Sequence, residues 1–452
     1  MNKIVPLKKD NTGSNHEAIR LRRHFHQNPE TGFTEFWTTS EICDYLSELG
    51  YEIHYGKDLY RSTYPSIQHI SEVAQIDKNK VDSAYQTAKA SLPESPWLAE
   101  MEGGFTGVIA ILDCVEKGPI TGFRFDIDGL PVQESSGSEH IPSREQFASR
   151  NNNMHACGHD GHTAIGLALA KQIADNRNQL SGRFVLVFQP SEEGPSGGEV
   201  FARFDIFKQL DYLVPLHIGI IDERKIVCGL SFLNVRNCRV IFRGKNAHAA
   251  VSPELGRNAL QAACTAVTNL YGISRHREGM SRLNVGQMCS NNPTNIISDH
   301  AEFELEVRGE QNKISHYLFE RANSIIRGAA AMYDVEVEIE ELGEYVCADN
   351  SEKSVSLMKK AAINIGLDQD VIVERKLTSA SEDATFLMNA VNENNGSASY
   401  LCLGSPTYGG HHHPSFDFDE DMLVYGVDIL FEYIRCSQPS HNNSLSHQAK
   451  TA

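Results

Sequence analysis

The densest chemistry in the sequence lies at His155-Ala156-Cys157-Gly158-His159-Asp160-Gly161-His162, where an irregular segment meets a helical pattern. Cys and His at i and i+2 can reach one metal ion from an extended turn. A thiolate beside imidazoles suits zinc and other borderline or soft divalent ions. The plainer alternative is a helix cap with incidental histidines. A second element, Phe188-Gln189-Pro190-Ser191-Glu192-Glu193-Gly194, follows an apolar run. Neighbouring side chains at a strand end point in different directions. One carboxylate could therefore bind a metal while the other takes a proton from water. Alone, the pair reads more simply as an exposed acidic turn. Its place after a buried strand, where α/β proteins build their sites, adds weight. His217 stands just beyond Tyr212 to Leu216, and His411-His412-His413-Pro414 precedes Phe416-Asp417-Phe418-Asp419-Glu420. Each of these reads alone as a structural histidine or a loop. A shared site brings the four signals together most economically.

Such a site needs a scaffold of strand ends. Thr106 to Leu112, Ile120 to Phe125, Phe184 to Phe188 and Tyr212 to Leu216 read as buried strands, with His162 to Ile173 as a helix. The alternation predicts an α/β layer structure. It resumes with helices near Val355 to Ile365, from Glu382 and from Glu420 to Tyr433, and a strand at Ala398 to Leu403. Between these parts, strands at Val235 to Phe242, Arg282 to Met288, Ala301 to Val307 and Val335 to Glu340 interleave with helices at Gly256 to Ser274 and Lys313 to Met332. That order is β-α-β-β-α-β, the ferredoxin-like split arrangement. The expected organisation is a discontinuous domain over 1–229 and 344–437, an inserted domain over 230–343, and a flexible polar tail over 438–452. Residues 58 to 100 read as a further insertion, with helix around Val81 to Ala90.

At 452 residues the chain exceeds one ordinary core, so two domains are the expectation. Forty-one basic against 59 acidic residues give a net charge of −18, a poor basis for binding nucleic acid or an anionic membrane. An anionic substrate would have to be held by a few local cations. No run is long and apolar enough to span a bilayer. Met1-Asn2-Lys3-Ile4-Val5-Pro6 turns polar at once, so a cytoplasmic location is expected. The ten cysteines include no Cys-x-x-Cys pair, and apart from Cys157 they read as reduced, buried small hydrophobes.

The order of the motifs resembles the M20 metallopeptidase family, in particular its amidohydrolase branch. The matching pieces run from Arg124-Phe125-Asp126-Ile127-Asp128-Gly129-Leu130 through His155 to His162, Gln189 to Gly194 and Leu216-His217-Ile218-Gly219. They continue through Asn246-Ala247-His248-Ala249, Ser381-Glu382-Asp383 and His412-His413-Pro414-Ser415-Phe416. Glu102 to Gly107 with the insertion before it, Gly328 to Tyr333 and Phe416 to Glu420 resemble a subgroup of that branch. That subgroup cleaves p-aminobenzoyl-glutamate to p-aminobenzoate and glutamate.

The resemblance implies a metallopeptidase catalytic domain, a mixed sheet flanked by helices, with an inserted α+β lid or dimerisation domain. It implies two divalent metal ions, zinc or manganese, held by Cys157, His159, Glu193, His217 and His412, with Cys157 bridging. His411 and His413 compete with His412. Glu192 becomes the general base, and Asp126 and Asp128 orient the ligands. His248 is implied to reach a neighbouring subunit's site and polarise the scissile carbonyl. Asn295 and Arg308 would hold a substrate carboxylate, the planar fork of Arg308 binding two oxygens at once; a surface salt bridge is its plainer reading. The implied substrate is a small N-acyl amino acid, p-aminobenzoyl-glutamate foremost, with hippurate-like compounds, small dipeptides and a non-catalytic metal-stabilised subunit as alternatives. The implied assembly is a homodimer or a hetero-oligomer with a related B subunit. Gly129 in place of alanine, the lack of proline in Asn295-Ile296-Ile297-Ser298, and Thr378-Ser379-Ala380 ahead of Ser381 depart from the family pattern in the region of the substrate pocket.

Overall fold

The apolar runs between residues 106 and 218 become the strands of one mixed sheet. A computed structural model describes residues 14–194 and 197–438. The opening residues and the expected tail beyond Gln438 lie outside them. Contacts divide the chain into two compact units. One runs through Ser231 and takes in Asp349–Lys376 and the chain from Leu387; the other is Phe232–Ala348 with Leu377–Phe386.

In the first unit the sheet order is Glu52–Tyr55, Val108–Asp113, Ser181–Gln189, Glu116–Asp126, Tyr212–Ile218, Leu401–Leu403, Ile226–Val227 and Ile372–Val373, with Ser397–Ala398 pairing on Tyr212–Ile218. The central strands Ser181–Gln189, Glu116–Asp126 and Tyr212–Ile218 are parallel neighbours, with Asp126 opposite Gln189. Their carboxyl ends therefore emerge along one edge, where open α/β sheets place ligands. Near-continuous Phe, Val, Leu and Ile make these strands buried on both faces, as parallel strands must be.

The helix His159–Asn176 is buried along most of its length, from His159 through Ala170 and again at Ile173. It packs against the strand Glu116–Asp126 and against the helices Ser14–His26 and Asp421–Ser437. Gly166 lets it approach the sheet: a Cβ there would meet Phe125 at 2.6 Å and Phe188 at 2.8 Å. The expected strand Ala398 to Leu403 is broken into two short pieces. Between them the Ser399 hydroxyl meets Ser354, which also meets the Tyr433 hydroxyl, each at 2.7 Å. In the insertion, Asp77 caps the helix Lys78–Ser91 by accepting from the Asn79 N–H. Val81, Tyr85 and Ala88 form its buried stripe.

The second unit holds a four-stranded antiparallel sheet in the order Glu336–Tyr345, Asn234–Arg243, His300–Gly309, Ser281–Cys289. The helices Ala259–Leu270 and Asn312–Met332 pack on each other and on this sheet. Chain order is β-α-β-β-α-β, as expected. The first helix is shorter than the Gly256 to Ser274 expected, because Pro253–Leu255 forms a separate turn and Asn258 caps the helix by accepting from the Gln261 N–H at 3.0 Å.

Candidate metal centre

The carboxyl edge of the parallel strands gathers the groups singled out from the sequence. Asp126 ends its strand, fully buried. Its Oδ2 receives Arg124 Nη1 at 2.7 Å and its Oδ1 meets His162 Nδ1 at 2.5 Å. His162 Nε2 accepts the Ile218 N–H at 2.9 Å, which puts the ring proton on Nδ1, facing the carboxylate. Three segments are tied together in this way.

Gly158, at φ +94°, caps the helix that starts at His159, a left-handed conformation that favours glycine. It separates Cys157 from His159 by a sharp turn. His159 Nδ1 lies 2.9 Å from the Asp128 carbonyl and 3.1 Å from Asp128 Oδ1. That hydrogen bond leaves Nε2 as the lone-pair nitrogen. Nε2 is buried and has no hydrogen-bond partner. An orphaned imidazole nitrogen of this kind is costly unless an ion or water completes it.

His217 repeats the pattern. Its Nδ1 donates to the Ile218 carbonyl at 2.7 Å, and its Nε2 lies 3.4 Å from Cys157 Sγ. The next strand-end turn brings Glu192 and Glu193. Asp128 Oδ2 accepts the Glu193 N–H at 3.0 Å, while Glu192 Oε2 lies 3.9 Å from His159 Nε2. From the C-terminal loop, His412 Nε2 sits 2.9 Å from Glu193 Oε1 and the His412 N–H donates to the Ala156 carbonyl. His411 enters as well: Nε2 donates to the Gly219 carbonyl at 2.9 Å, and Nδ1 faces Cys157 Sγ at 3.4 Å. Ser191 and His412 both hold positive φ without being glycine, at +57° and +62°. Strain of this sort collects at functional turns.

Donor atoms of Cys157, His159 and His217 lie within 4.8 Å of one another; so do those of Cys157, Glu193 and His412, and of His159, Glu192 and Glu193. Sulfur, imidazole nitrogen and carboxylate oxygen together fit a borderline divalent cation. The electrostatics agree. Burial pushes the His159 pKa down, but Asp126 and Asp128 outweigh it and raise it to about 10, so the pocket attracts positive charge at Nε2. Burial, with Glu193 and Glu192, pushes the Cys157 thiol well up, so the thiolate needs a cation beside it. Burial and the neighbouring His162 and His411 keep His217 well below the ordinary imidazole range, the neutral form a metal requires.

The remaining expected residues lie in the second unit. His248 and Asn295 are exposed and adjacent, since His248 bridges Ile296 and the Ala249 N–H donates to the Asn295 carbonyl. Arg308 is engaged: Nε and Nη2 grip both oxygens of Glu306 at 2.7 and 2.9 Å, and Nη1 donates to the Ser379 carbonyl.

Sequence reasoning missed an ionic layer supplied by the helix Ser14–His26. Arg22, 1% exposed, donates to Asp160 at 3.1 Å, Asp417 at 2.5 Å and Glu420 at 3.0 Å, between the rings of Phe147 and Phe418. His26 joins Asp160 to Glu134. The signal available was an Arg and a His spaced i and i+4 on a helix.

Residues 122–435 match the profile of peptidase family M20/M25/M40. The chain is 40% identical over 423 residues to a homolog, from Haemophilus influenzae, of the p-aminobenzoyl-glutamate hydrolase A subunit, covering 93% of this chain and 98% of that protein. It is 38% identical over 417 residues to the indole-3-acetyl-aspartic acid hydrolase of Enterobacter agglomerans, covering 92% and 94%. The crystal structure of an aminobenzoyl-glutamate utilization protein from Klebsiella pneumoniae is 31% identical, covers 95% of this chain and 98% of that one, and superposes with a TM-score of 0.71. With its parallel strand ends, its ligand cluster and these relatives, the chain belongs to peptidase family M20/M25/M40 and is an amide-bond hydrolase.

Proposed function

We propose that this chain is a two-metal amidohydrolase that cleaves p-aminobenzoyl-glutamate to p-aminobenzoate and glutamate. The observation that carries the metal assignment is the buried, unpartnered Nε2 of His159 facing two carboxylates and a thiol. Cys157, His159, Glu193, His217 and His412 would hold the ions, and Cys157 belongs to two of the donor groups. Zinc or manganese ions bound there would lower the pKa of a water and polarise the amide carbonyl. Glu192, beside a ligand glutamate and 12% exposed, takes the proton of the attacking water. The water oxygen adds to the carbonyl carbon, the C–N bond breaks, and Glu192 returns the proton to the departing nitrogen. Asp128 fixes which nitrogen of His159 faces the ions, and Asp126 anchors the neighbouring His162.

His248 polarises the carbonyl and Asn295 binds the substrate carboxylate. Arg308 joins them by exchanging Glu306 for the substrate, a like-for-like swap of carboxylates on its fork. The reading carries with it an assembly, a homodimer or a hetero-oligomer with a related second subunit, in which His248 serves a neighbouring site. The names of the relatives support the substrate class: one is a homolog of a p-aminobenzoyl-glutamate hydrolase component, another an indole-3-acetyl-aspartic acid hydrolase. Both substrates so named join an aromatic acyl group to an acidic amino acid.

A panel of N-acyl amino acids, assayed with zinc or manganese, tests this. The highest kcat/KM is expected for p-aminobenzoyl-glutamate, and a preference for neutral amino-acid amides such as hippurate would refute the assignment.

A further inference from the structure

The base proposed above sits on a turn that two other carboxylates hold. Asp128 Oδ2 accepts the Glu193 N–H on one side of Glu192. On the other side, Glu35 Oε1 accepts the Ser191 N–H at 2.9 Å. Glu35 lies 156 residues earlier in the chain, at the entry to the helix Phe36–Glu48, and is 0% exposed. Its second oxygen accepts the Thr106 hydroxyl at 2.7 Å. Ser191 is the residue at φ +57°, a conformation that a non-glycine residue keeps only when its surroundings impose it. Gly32 closes the turn from the same loop: a Cβ there would collide with Ser191 Oγ.

We propose that Glu35 is a positioning residue for amide hydrolysis, holding Ser191 left-handed so that the Glu192 carboxylate faces the ligand cluster, while Asp128 separately holds the Glu193 N–H. The inference rests on the assignment of Glu192 as base. Adjacent carboxylates must point different ways here, one to hold a cation and one to accept a proton, and an ordinary strand end would not fix both. Pinning the peptide N–H groups on either side of Glu192 does. Burial and the nearby Asp128 charge push the Glu35 pKa well above the usual carboxylate range. A glutamine keeps an acceptor for the Ser191 N–H and can turn its amide N–H toward the Thr106 oxygen.

The test compares Glu35→Ala, Glu35→Gln, Gly32→Ala and Glu192→Gln in metal-loaded full-length protein. Displacing a catalytic group by about 1 Å can cost 100-fold. Glu35→Ala is expected to lose about 100-fold in kcat with KM and metal content unchanged, and Glu35→Gln to recover most of that loss. Gly32→Ala, which removes no charge, is expected to lower kcat in the same selective way, and it decides the matter where Glu35→Ala does not fold. Folded, metal-loaded Glu35→Ala or Gly32→Ala with wild-type kcat would overturn the proposal. So would a loss of metal or of KM in step with kcat, which marks a merely structural role. Glu192→Gln separates the two assignments: if it retains turnover, the base assignment has failed; if it is inactive while Glu35→Ala is fully active, only the positioning role has failed.

Discussion

Cys157 Sγ and His217 Nε2 lie 3.4 Å apart although 60 residues of chain separate them. One sits at the turn into a helix, the other at the end of a central parallel strand. The contact arises because the helix His159–Asn176 packs on the neighbouring strand Glu116–Asp126 and delivers its N-terminus to the carboxyl edge of the sheet. Each histidine then spends one nitrogen on a protein acceptor, His217 on the Ile218 carbonyl and His159 on Asp128, and turns the other inward. The tautomers are set by the fold before any ion arrives.

Asp126 stands beside these ligands, 3.9 Å from His159 Nε2, with Arg124 on one oxygen and His162 on the other. Asp126→Asn keeps the shape but places an amide where both partners need an anion. Outer groups of this kind are worth about 10–100-fold in metal affinity. A loss of that size is expected in competition with a metal chelator, while the variant remains folded. Unchanged affinity would show that Asp126 does not tune the ligands.

Arg22 is surrounded by Asp160, Asp417 and Glu420 with no access to water. It joins the segment that carries His159 to the segment that follows His412. Arg22→Met removes the cation and leaves carboxylates buried, a change that typically costs about 3–5 kcal/mol. Denaturant unfolding at neutral pH should show a loss of that order. A change below about 1 kcal/mol would mean that the carboxylates are solvated or protonated in the variant without cost.

The same layer makes stability depend on pH through His26. Burial lowers its pKa, but the Asp160 charge and the hydrogen bonds that His26 donates to Asp160 and Glu134 overcome this and raise it to about 9. The folded state therefore holds this proton more tightly than the unfolded chain, whose imidazole titrates near 6.5. The stabilisation is complete below pH 6.5 and is lost as pH rises through 9, on the order of 3 kcal/mol in all. Unfolding free energies of the wild type and His26→Gln should converge between these values. A constant difference across the window would contradict the ion pair.

Much of this was legible because it is local. Cys157-Gly158-His159 and Ser191-Glu192-Glu193 announce themselves by residue type and spacing, and runs such as Phe184 to Phe188 mark the strands that carry them. The β-α-β-β-α-β order of the second unit followed from hydrophobic periodicity. For the opposite reason, Glu35 was invisible, and Arg22 and His26 were marked only by their i, i+4 spacing. Their partners lie 156, 138 and 134 residues away, so no window of sequence contains both ends. Arg308 shows a further limit: its residue type suits a substrate carboxylate, but Glu306, two residues earlier on the same face of the strand, supplies one first. The break at Tyr400 and the late start of the helix at Ala259 depend on side-chain hydrogen bonds that periodicity does not encode.

The most direct test of the central proposal is Glu192→Gln assayed on p-aminobenzoyl-glutamate, with metal content measured on the same sample. General acid–base groups contribute about 10²- to 10⁴-fold. The expected result is a full complement of metal, a folded protein, and release of p-aminobenzoate reduced by at least about 100-fold. Near-wild-type release from the metal-loaded variant would contradict the assignment of Glu192 as the base of this amidohydrolase.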